Sequence, residues 1–413
     1  NLKLAADKLL RTGSGDIELA AAGDIELGSG AAIYSAGYNT PAVADFRVTS
    51  LAGNAFPTGG GDVRIRAGGS VVSKVETPGQ VTDWLYRQGL GGNNKAQFRT
   101  PGWWPQIPEF KNGVAALGGG DVAIEAGGGM ANLLVATATN ARQPATFLQA
   151  VDPSRQVIQG GGDLSVRTGD DIEGGLFFVD RGTGRINTGG AVVEGLARAN
   201  LTTATVLALG DASTGVSARR GVYLESVINH SLVDQSGVNS SNSRNAYFVT
   251  YGDDSAVRLS SVAGDTVLKS PVVGLGLYPG TLEAVALQGN LVIEKGFTLM
   301  PSLVGDLRLL AGGSIEMRDG ESIILSDLSP ADFNRLANPI SSFDAGEIAK
   351  LVRPSLEAKE SDTHSPTPVH QADMRPVYVV ARTGDIIGQS GAAVFANLAK
   401  PAVFQAGRDI LDT

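Results

Sequence analysis

Two pairs of adjacent carboxylates are the side chains whose type and spacing come closest to those of a catalytic site. Asp170-Asp171 and Asp253-Asp254 each place two acids together, and enzymes that hydrolyse glycosides by general acid–base chemistry use a pair of carboxyl groups. Both pairs lie in turns, where aspartate is common because its side chain hydrogen-bonds to nearby backbone groups. The sequence offers no further groups that would converge on either pair, so it predicts that the chain is not an enzyme.

The remaining candidate ligands do not fit known metal or cofactor sites. His364 and His370 have no paired ligand nearby in the sequence, whereas zinc needs several converging ligands. The Gly-Gly-Gly-Asp run at 59–62 lacks the Gly-Gly-x-Gly-x-Asp spacing of tandem calcium-binding repeats. The Gly-x-Gly at 274–276 lacks the helix that follows the strand in a dinucleotide fingerprint. The sequence therefore predicts neither a bound metal nor a cofactor.

A short repeat forms the framework that must position these residues. It consists of Gly-Asp, an aliphatic residue, any residue, a second aliphatic residue and a turn of small residues. Copies begin at Gly15, Gly23, Gly61, Gly120, Gly162, Gly305 and Gly384, and weaker copies begin at Gly264, Gly289 and Arg408. Within a copy the aliphatic and polar residues alternate, so Ile17 and Leu19 point one way while Glu18 points the other. This period of two predicts short strands that each bury one face.

The repeat favours a parallel β-helix over two other all-β architectures. A β-propeller would show four-stranded blades with signature motifs at a period of about 40 residues, and a sandwich would end after about 100 residues. In a parallel β-helix, equivalent positions of successive coils form ladders. This winding places the following residues inside: Ile17, Leu19, Val63, Ile65, Val122, Ile124, Leu307 and Leu309. We expect the aspartate of each copy to be a turn residue that hydrogen-bonds its own backbone, with a calcium ligand as the alternative.

Composition argues against several functional classes. Glycine occurs 55 times, 42% of the residues are hydrophobic and only 6% are aromatic, which suits many short strands joined by tight turns. The formal charge of −9 would repel a phosphate backbone, so we expect no nucleic-acid partner. No apolar run is long enough to cross a bilayer, so the chain is not expected to be membrane-embedded. The absence of cysteine excludes disulfides and is compatible with export of an unfolded chain.

Longer copies of the repeat resemble those of a bacterial family. The run Gly-Gly-Gly-Asp-Val-x-Ile-x-Ala-Gly-Gly at 59–69 and the segments 291–302 and 305–315 are similar to repeats of filamentous-haemagglutinin-like exoproteins, the passengers of two-partner secretion. The resemblance implies a right-handed parallel β-helix over residues 1–413, forming the shaft of a secreted adhesin that attaches to cells or surfaces. It also implies an outer-membrane transporter as partner during secretion, a receptor on a host or neighbouring cell, and a location outside or on the surface of a Gram-negative bacterium.

Two other functions remain open beside the adhesin. One is the stalk of a contact-dependent growth-inhibition exoprotein, whose C-terminal toxin would lie outside this sequence. The other is a β-helical polysaccharide-degrading enzyme, although the Gly-His-Gly and Arg-Ile-Lys motifs of polygalacturonases are absent and the Arg-Ile-Asn at 185–187 lacks the lysine. The family's amino-terminal secretion domain carries Asn-Pro motifs that the Asn-Pro-Ile at 338–340 does not match. We therefore expect an internal fragment that lies downstream of that domain.

Three segments interrupt the repeat and are predicted to leave the coils. Residues 77–116 contain all three tryptophans and several prolines, residues 228–247 form a polar loop, and residues 326–376 combine two short helices, starting near 329 and 345, with a Pro-rich loop. The first segment could form a contact surface, and its candidate partner-binding residues are Trp84, Tyr86, Trp103, Trp104 and Phe110. The alternative is that these rings pack on one another and seal the segment.

Overall fold

A large, mostly parallel sheet contains most of the strands that the structure describes. The computed structural model describes residues 1–39, 56–75, 80–88, 102–142, 157–195, 205–233, 248–269, 276–318, 322–328, 368–388 and 396–411. Most residues in these ranges that adopt regular structure are in strands, and most of the strands belong to one sheet with parallel neighbours. The prediction of an all-β fold is confirmed. Across the described ranges, no helix has the length and apolar character needed to span a membrane.

The copies of the repeat are divided between two of three parallel stacks. The first, which we name stack A, holds the copies that begin at Gly15, Gly61, Gly120, Gly162 and Gly305, and the second holds those that begin at Gly23, Gly264, Gly289, Gly384 and Arg408. Each strand pairs in register with the equivalent strand of the next level, so Val63 lies between Ile17 and Val122. Its strands are Ile17–Ala21, Val63–Ala67, Val122–Ala126, Leu164–Thr168, the second halves of Gly175–Thr188 and Thr205–Ala218, then Ala256–Ser261, Thr281–Ala286, Asp306–Ala311, Val377–Ala381 and Ala402–Ala406.

Stack B begins after the next turn of each level and consists of shorter strands. They are Leu2–Leu4, Ile25–Leu27, Val71–Ser73, Met130–Ala131, Ile172–Glu173, Val192–Val193, the first half of Val222–Asn229, Thr266–Leu268, Leu291–Ile293, Ile315–Met317, Ile386–Ile387 and Ile410–Leu411. Small residues and short polar turns between stacks A and B let the chain change direction tightly.

Stack C completes the levels in the amino-terminal half. Its strands are Leu9–Thr12, Ala32–Ser35, Gly113–Ala116, Leu134–Thr137, the first halves of Gly175–Thr188 and Thr205–Ala218, and the second half of Val222–Asn229. In the carboxyl-terminal half, a separate parallel sheet is formed by Leu277–Tyr278, Thr298–Leu299, Ile323–Leu325 and Ala396–Leu398. The third strand of each level therefore comes from a different sheet in the two halves.

The main core lies between the stacks and is built from the alternate residues of their strands. All eight residues predicted to point inward do so: seven are buried, and Leu19, in the first strand of stack A, is partly buried. Ile124 is fully buried, while its neighbour Glu125 is exposed. The period of two in the sequence thus becomes an alternation of burial in the structure.

An antiparallel sheet, which we name the cover sheet, packs over the outer face of stack C. It consists of Leu85–Gln88, Gly102–Pro105, Thr139–Arg142 and Val157–Gly160. The short helix Val81–Trp84 precedes it, Ile107–Glu109 and His230–Leu232 form 3-10 turns, and Tyr38–Asn39 pairs with Pro57–Thr58. From Ala32–Ser35 onward the strands of stack C are buried on both faces, so their sequences are mostly apolar and do not alternate.

The aspartates of the repeats form hydrogen-bonded ladders along the corners between stacks. The prediction that each bonds its own backbone is wrong. The backbone N–H of Asp121 donates to Oδ1 of Asp62 at 2.9 Å, and that of Asp163 donates to Oδ1 of Asp121 at 2.8 Å. Donor and acceptor lie in successive levels, since parallel strands about 4.8 Å apart bring equivalent turn residues within reach of a short side chain.

A second ladder runs along the corner before stack B and uses other acceptors. The backbone N–H of Ser314 donates to Oδ1 of Asn290 at 2.8 Å, and that of Asp385 donates to Oγ of Ser314 at 3.1 Å. Any short side chain with an acceptor oxygen can therefore occupy this position. This explains why the repeats carry Asp, Asn or Ser after the turn.

The segments predicted to leave the coils are described only in part. The two helices predicted near 329 and 345 lie outside the described residues. Residues 113–116, at the end of the aromatic segment, form a strand of stack C. The prediction of a polar loop over 228–247 is wrong for its first six residues, because 228 and 229 end a strand and 230–233 are buried beneath the cover sheet.

Candidate functional site beneath the cover sheet

The five residues predicted as partner-binding anchors lie in the interior. Trp84, Tyr86, Trp103, Trp104 and Phe110 are each at most 2% exposed. A side chain anchors an interface through exposed surface that a partner can cover. The surface of these rings is already buried by contacts within the chain. Their role as partner contacts stays a prediction, which would require the cover sheet to open.

One cluster of these rings packs against the outer face of stack C. Trp84 makes edge-to-face contacts with Phe110 and with Phe178, at centroid distances of 5.2 and 5.9 Å, and Phe110 contacts Tyr34 at 5.7 Å. Tyr34 and Phe178 belong to strands of stack C. The rings meet in the edge-to-face geometry that aromatic pairs prefer. This part of the aromatic segment therefore shares one core cluster with stack C.

A second, smaller cluster lies on the cover sheet itself. The Trp104 ring contacts Tyr86 at 4.7 Å and Phe56 at 5.4 Å between centroids, and the guanidinium of Arg142 lies 5.5 Å from the centroid of the Phe56 ring. Tyr86 and Trp104 are paired across antiparallel strands. Trp103 and Trp104 therefore face opposite sides of one strand and belong to different clusters.

A buried carboxylate lies where Trp103 meets stack C. Asp180 is 2% exposed, and its Oδ2 accepts hydrogen bonds from Nε1 of Trp103 at 3.1 Å, from the backbone N–H of Thr139 at 3.3 Å and from the Thr139 hydroxyl. Burial of an ionised group is costly unless hydrogen bonds compensate it. Groups from two strands of the cover sheet supply that compensation, so Asp180 fixes the cover sheet on stack C.

An enclosed histidine faces the same carboxylate. His230 is 2% exposed, its Nδ1 lies 3.5 Å from Oδ1 of Asp180, and its ring meets Trp103 and Phe178 at centroid distances of 5.5 Å each. Burial lowers the pKa of His230, which Asp180 partly offsets and the positive charge of Arg87 reinforces. The folded protein therefore favours the neutral form of this imidazole.

Arg87 links the cover sheet to the segment after stack C. Its side chain is buried, Nη1 donates to the His230 carbonyl oxygen at 2.8 Å and Nη2 donates to that of Val233 at 2.6 Å. Those acceptors are 143 and 146 residues away along the chain. The planar guanidinium suits such a pair of parallel bonds, so one side chain fastens two distant segments together.

Sequence reasoning did not identify Arg87, Thr139, Asp180 or His230 as a cluster. One signal was present, because Asp180 directly follows the apolar run 176–179, and an acid next to a strand buried on both faces needs partners. The partners themselves lie on segments whose pairing the repeat does not determine. The Asn-His-Ser at 229–231 has the composition of a surface loop.

Of the two acidic pairs considered first, Asp170-Asp171 makes structural contacts. Oδ1 of Asp171 accepts from the backbone N–H of Ala191 at 2.6 Å, which is a corner-ladder bond, and both Asp170 and Asp171 pair with Arg220. Burial, followed by the charge of Asp254, raises the pKa of Asp211. Within the described ranges, no group of three side chains is arranged to hold a metal ion.

A second buried polar cluster fastens residues 368–375 to the stacks. The fully buried Nζ of Lys400 lies 2.9 Å from Oδ2 of Asp373 and 3.3 Å from Oδ1 of Asp306. Hydrogen bonds from Arg375, and then from Lys400, hold the pKa of Asp373 well below its usual range. His370, one of the histidines considered as a ligand, is buried beside this cluster, 4.0 Å from Oδ2 of Asp373.

The fold and the site together define an all-β protein with parallel, in-register strand stacks and one antiparallel cover. Its polar clusters are enclosed by side chains and hold segments together. Comparisons with protein-family models, with curated proteins and with solved structures find no match to this chain.

Proposed function

We propose that the chain winds as a right-handed parallel β-helix and forms the shaft of a secreted, filamentous-haemagglutinin-like adhesin of a Gram-negative bacterium. The observation that carries the proposal is stack A, whose strands pair in parallel and in register from Ile17–Ala21 to Ala402–Ala406. Each level repeats the same inward positions, as expected of a solenoid in which every level contacts its neighbours. Such a structure grows in one direction and suits a shaft.

The corner ladders support the same function. Successive levels are joined by backbone pairing and also by side-chain acceptors such as Asp62 and Asp121. These bonds run along the direction in which the levels stack, so they oppose separation of one level from the next. A shaft that carries an attachment site away from the cell needs this kind of continuous connection.

The proposed partners follow from this role. The chain would pass an outer-membrane transporter during secretion and would then contact a receptor on a host or neighbouring cell. Elements that project beyond the stacks, such as the cover sheet, interrupt an otherwise repetitive surface. They are the places where a specific contact is most easily built, because repeated short polar strands offer few distinct anchors.

The test is attachment by the purified chain. The chain is labelled with a fluorophore through its amines and incubated with epithelial cells and with bacteria. The proposal predicts saturable binding that an excess of unlabelled folded chain displaces, while the same excess of urea-unfolded, diluted chain displaces less. Binding that does not saturate, or no binding to either cell type, would contradict an adhesive function for this chain.

A further inference from the structure

We propose that acid opens the cover sheet: protonation of the enclosed His230 releases this sheet from stack C while the parallel stacks stay folded. The imidazole of His230 lies between the aromatic rings of Trp103 and Phe178 and the guanidinium of Arg87, which joins the cover sheet to the backbone at His230 and Val233. The consequence of opening would be exposure, in an acidic environment, of the apolar outer face of stack C and of the tryptophan rings that cover it.

The closed geometry compensates a charged imidazole only in part. In the part of the chain that the structure describes, neither ring nitrogen of His230 makes a hydrogen bond. The charged groups that face it are Asp180, from the long strand shared by stacks A and C, and Arg87, from the cover sheet. The other neighbours are the rings of Trp103 and Phe178. Oδ1 of Asp180 lies 3.5 Å from Nδ1 and would attract a charged ring, but it makes no hydrogen bond to the imidazole. Burial and the positive charge of Arg87 oppose the charged form.

Opening relieves these constraints at once. If the cover sheet moves away, Arg87 no longer lies beside His230 and water reaches the imidazole. The closed form binds the proton less readily than the open form, because burial lowers the pKa of His230 below its ordinary value of 6.5. Above pH 6.5 both forms hold a neutral ring. As the pH falls below 6.5 the open form gains a proton first, so the closed form loses relative stability.

The cover sheet and the short helix before it also carry unpaired buried polar atoms. Nε1 of Trp84, Nε1 of Trp104, Oδ1 of Asn140 and Oε1 of Gln159 have no hydrogen-bond partner among the described residues. Each such atom costs stability relative to its solvated state. The stacks also contain such atoms, for example the hydroxyls of Thr137 and Thr214. Their strands, however, pair with a neighbour on each side, as Leu134–Thr137 does. The cover sheet has only four strands in the described ranges, and its closure also depends on a neutral histidine, so it is expected to open first.

The chain supplies its own reporter for the test. All three tryptophans lie on the short helix or on the cover sheet, so tryptophan emission follows the cover, while far-ultraviolet circular dichroism follows the strands as a whole. The purified chain is titrated from pH 8 to pH 4, with both signals recorded. We expect tryptophan emission to shift to longer wavelength below pH 6.5 while the circular dichroism remains that of the folded stacks.

Two histidine variants make the test specific. In His230→Gln the side chain stays polar but cannot be charged, so we expect the emission shift to move down to the range in which carboxyl groups protonate, about pH 4. His370→Gln, in the other buried cluster, is the matched control and should titrate like the parent. If His230→Gln does not fold, His230→Phe is used, because a phenyl ring suits the space between Trp103 and Phe178.

Three results would overturn the proposal. They are an unchanged emission midpoint in the folded His230 variant, an equal displacement by His370→Gln, and coincidence of the emission and circular dichroism transitions in the parent. The first two would assign the change to other groups. The third would show that cover and stacks unfold as one unit.

Discussion

The corner ladders make a prediction that distinguishes this fold from a simple array of turns. Asp121 is exposed and makes no ion pair in the described structure, and its Oδ1 accepts the backbone N–H of Asp163 at 2.8 Å. Replacing Asp121 with alanine removes this acceptor without disturbing the buried aliphatic residues. The change therefore isolates the bond between one level and the next.

The size of the effect follows from the kind of bond and its exposure. A hydrogen bond to an ionised acceptor contributes about 1.5 to 3 kcal/mol to stability. Water can reach this position, so the freed N–H finds another acceptor and the loss lies at the lower end, about 1.5 kcal/mol. Asp121→Asn keeps the oxygen, as Asn290 does for Ser314 in the second ladder, and should change stability by less than about 0.5 kcal/mol.

The assay is native-state hydrogen exchange at the amide of Asp163, because a long repeat structure need not unfold in two states. The loss of about 1.5 kcal/mol corresponds to exchange roughly tenfold faster in Asp121→Ala. Exchange in Asp121→Asn should match the parent. Equal acceleration in both variants would show that charge, and not the acceptor, holds the levels together, while no change in either would refute the ladder.

Two further predictions concern the core and the second polar cluster. Ile124→Asp buries an unpaired charge and should unfold its level, with a loss of several kcal/mol in the free energy of unfolding measured by urea denaturation. The control Ala123→Asp, one residue away on the outer face, should cost less than about 0.5 kcal/mol. Similar losses in the two variants would show that the inward face is misassigned. Lys400→Met leaves the carboxylates of Asp373 and Asp306 without their buried cation and should cost about 3 kcal/mol in the same assay, the lower end of the range for breaking a buried pair, because Arg375 still pairs with Asp373. Asp373→Asn added to this variant should recover part of that loss. A Lys400→Met variant as stable as the parent would contradict the inference that Lys400 holds residues 368–375 against the stacks.

The strands of stack A were the most predictable part of the fold. One of their faces meets the core and the other meets solvent, so residues such as Ile65 and Arg66 differ in type as they differ in burial. That contrast is visible in a single sequence. The hydrogen-bond partners of the corner aspartates could not be predicted. Local sequence does not reveal that the backbone N–H of the next level lies closer to the carboxylate than an N–H of the same turn does.

The cover sheet could not be predicted, for a related reason. The strands of stack C that lie beneath the cover are buried on both faces, so a run such as 176–179 shows no alternation and does not indicate which residues face the cover. The tryptophans marked 77–116 as unusual, but their position depends on contacts such as that of Arg87 with His230, 143 residues away. The site was missed because it is made by long-range packing and not by a motif.

Distances between levels test the central claim, the single winding of the chain, most directly. The chain has no cysteine, so pairs of introduced cysteines can carry nitroxide labels without background. Ala20, Ser217 and Gln405 are exposed and lie in one outward column of stack A, with Ser217 five levels and Gln405 ten levels from Ala20.

The measurement is electron–electron dipolar distance in the two double variants Ala20→Cys with Ser217→Cys, and Ala20→Cys with Gln405→Cys. With levels about 4.8 Å apart, the account predicts backbone separations of about 24 Å and about 48 Å, broadened by the label arms. A second distance about twice the first would support a continuous parallel β-helix. Two similar distances, or a second distance shorter than the first, would contradict it.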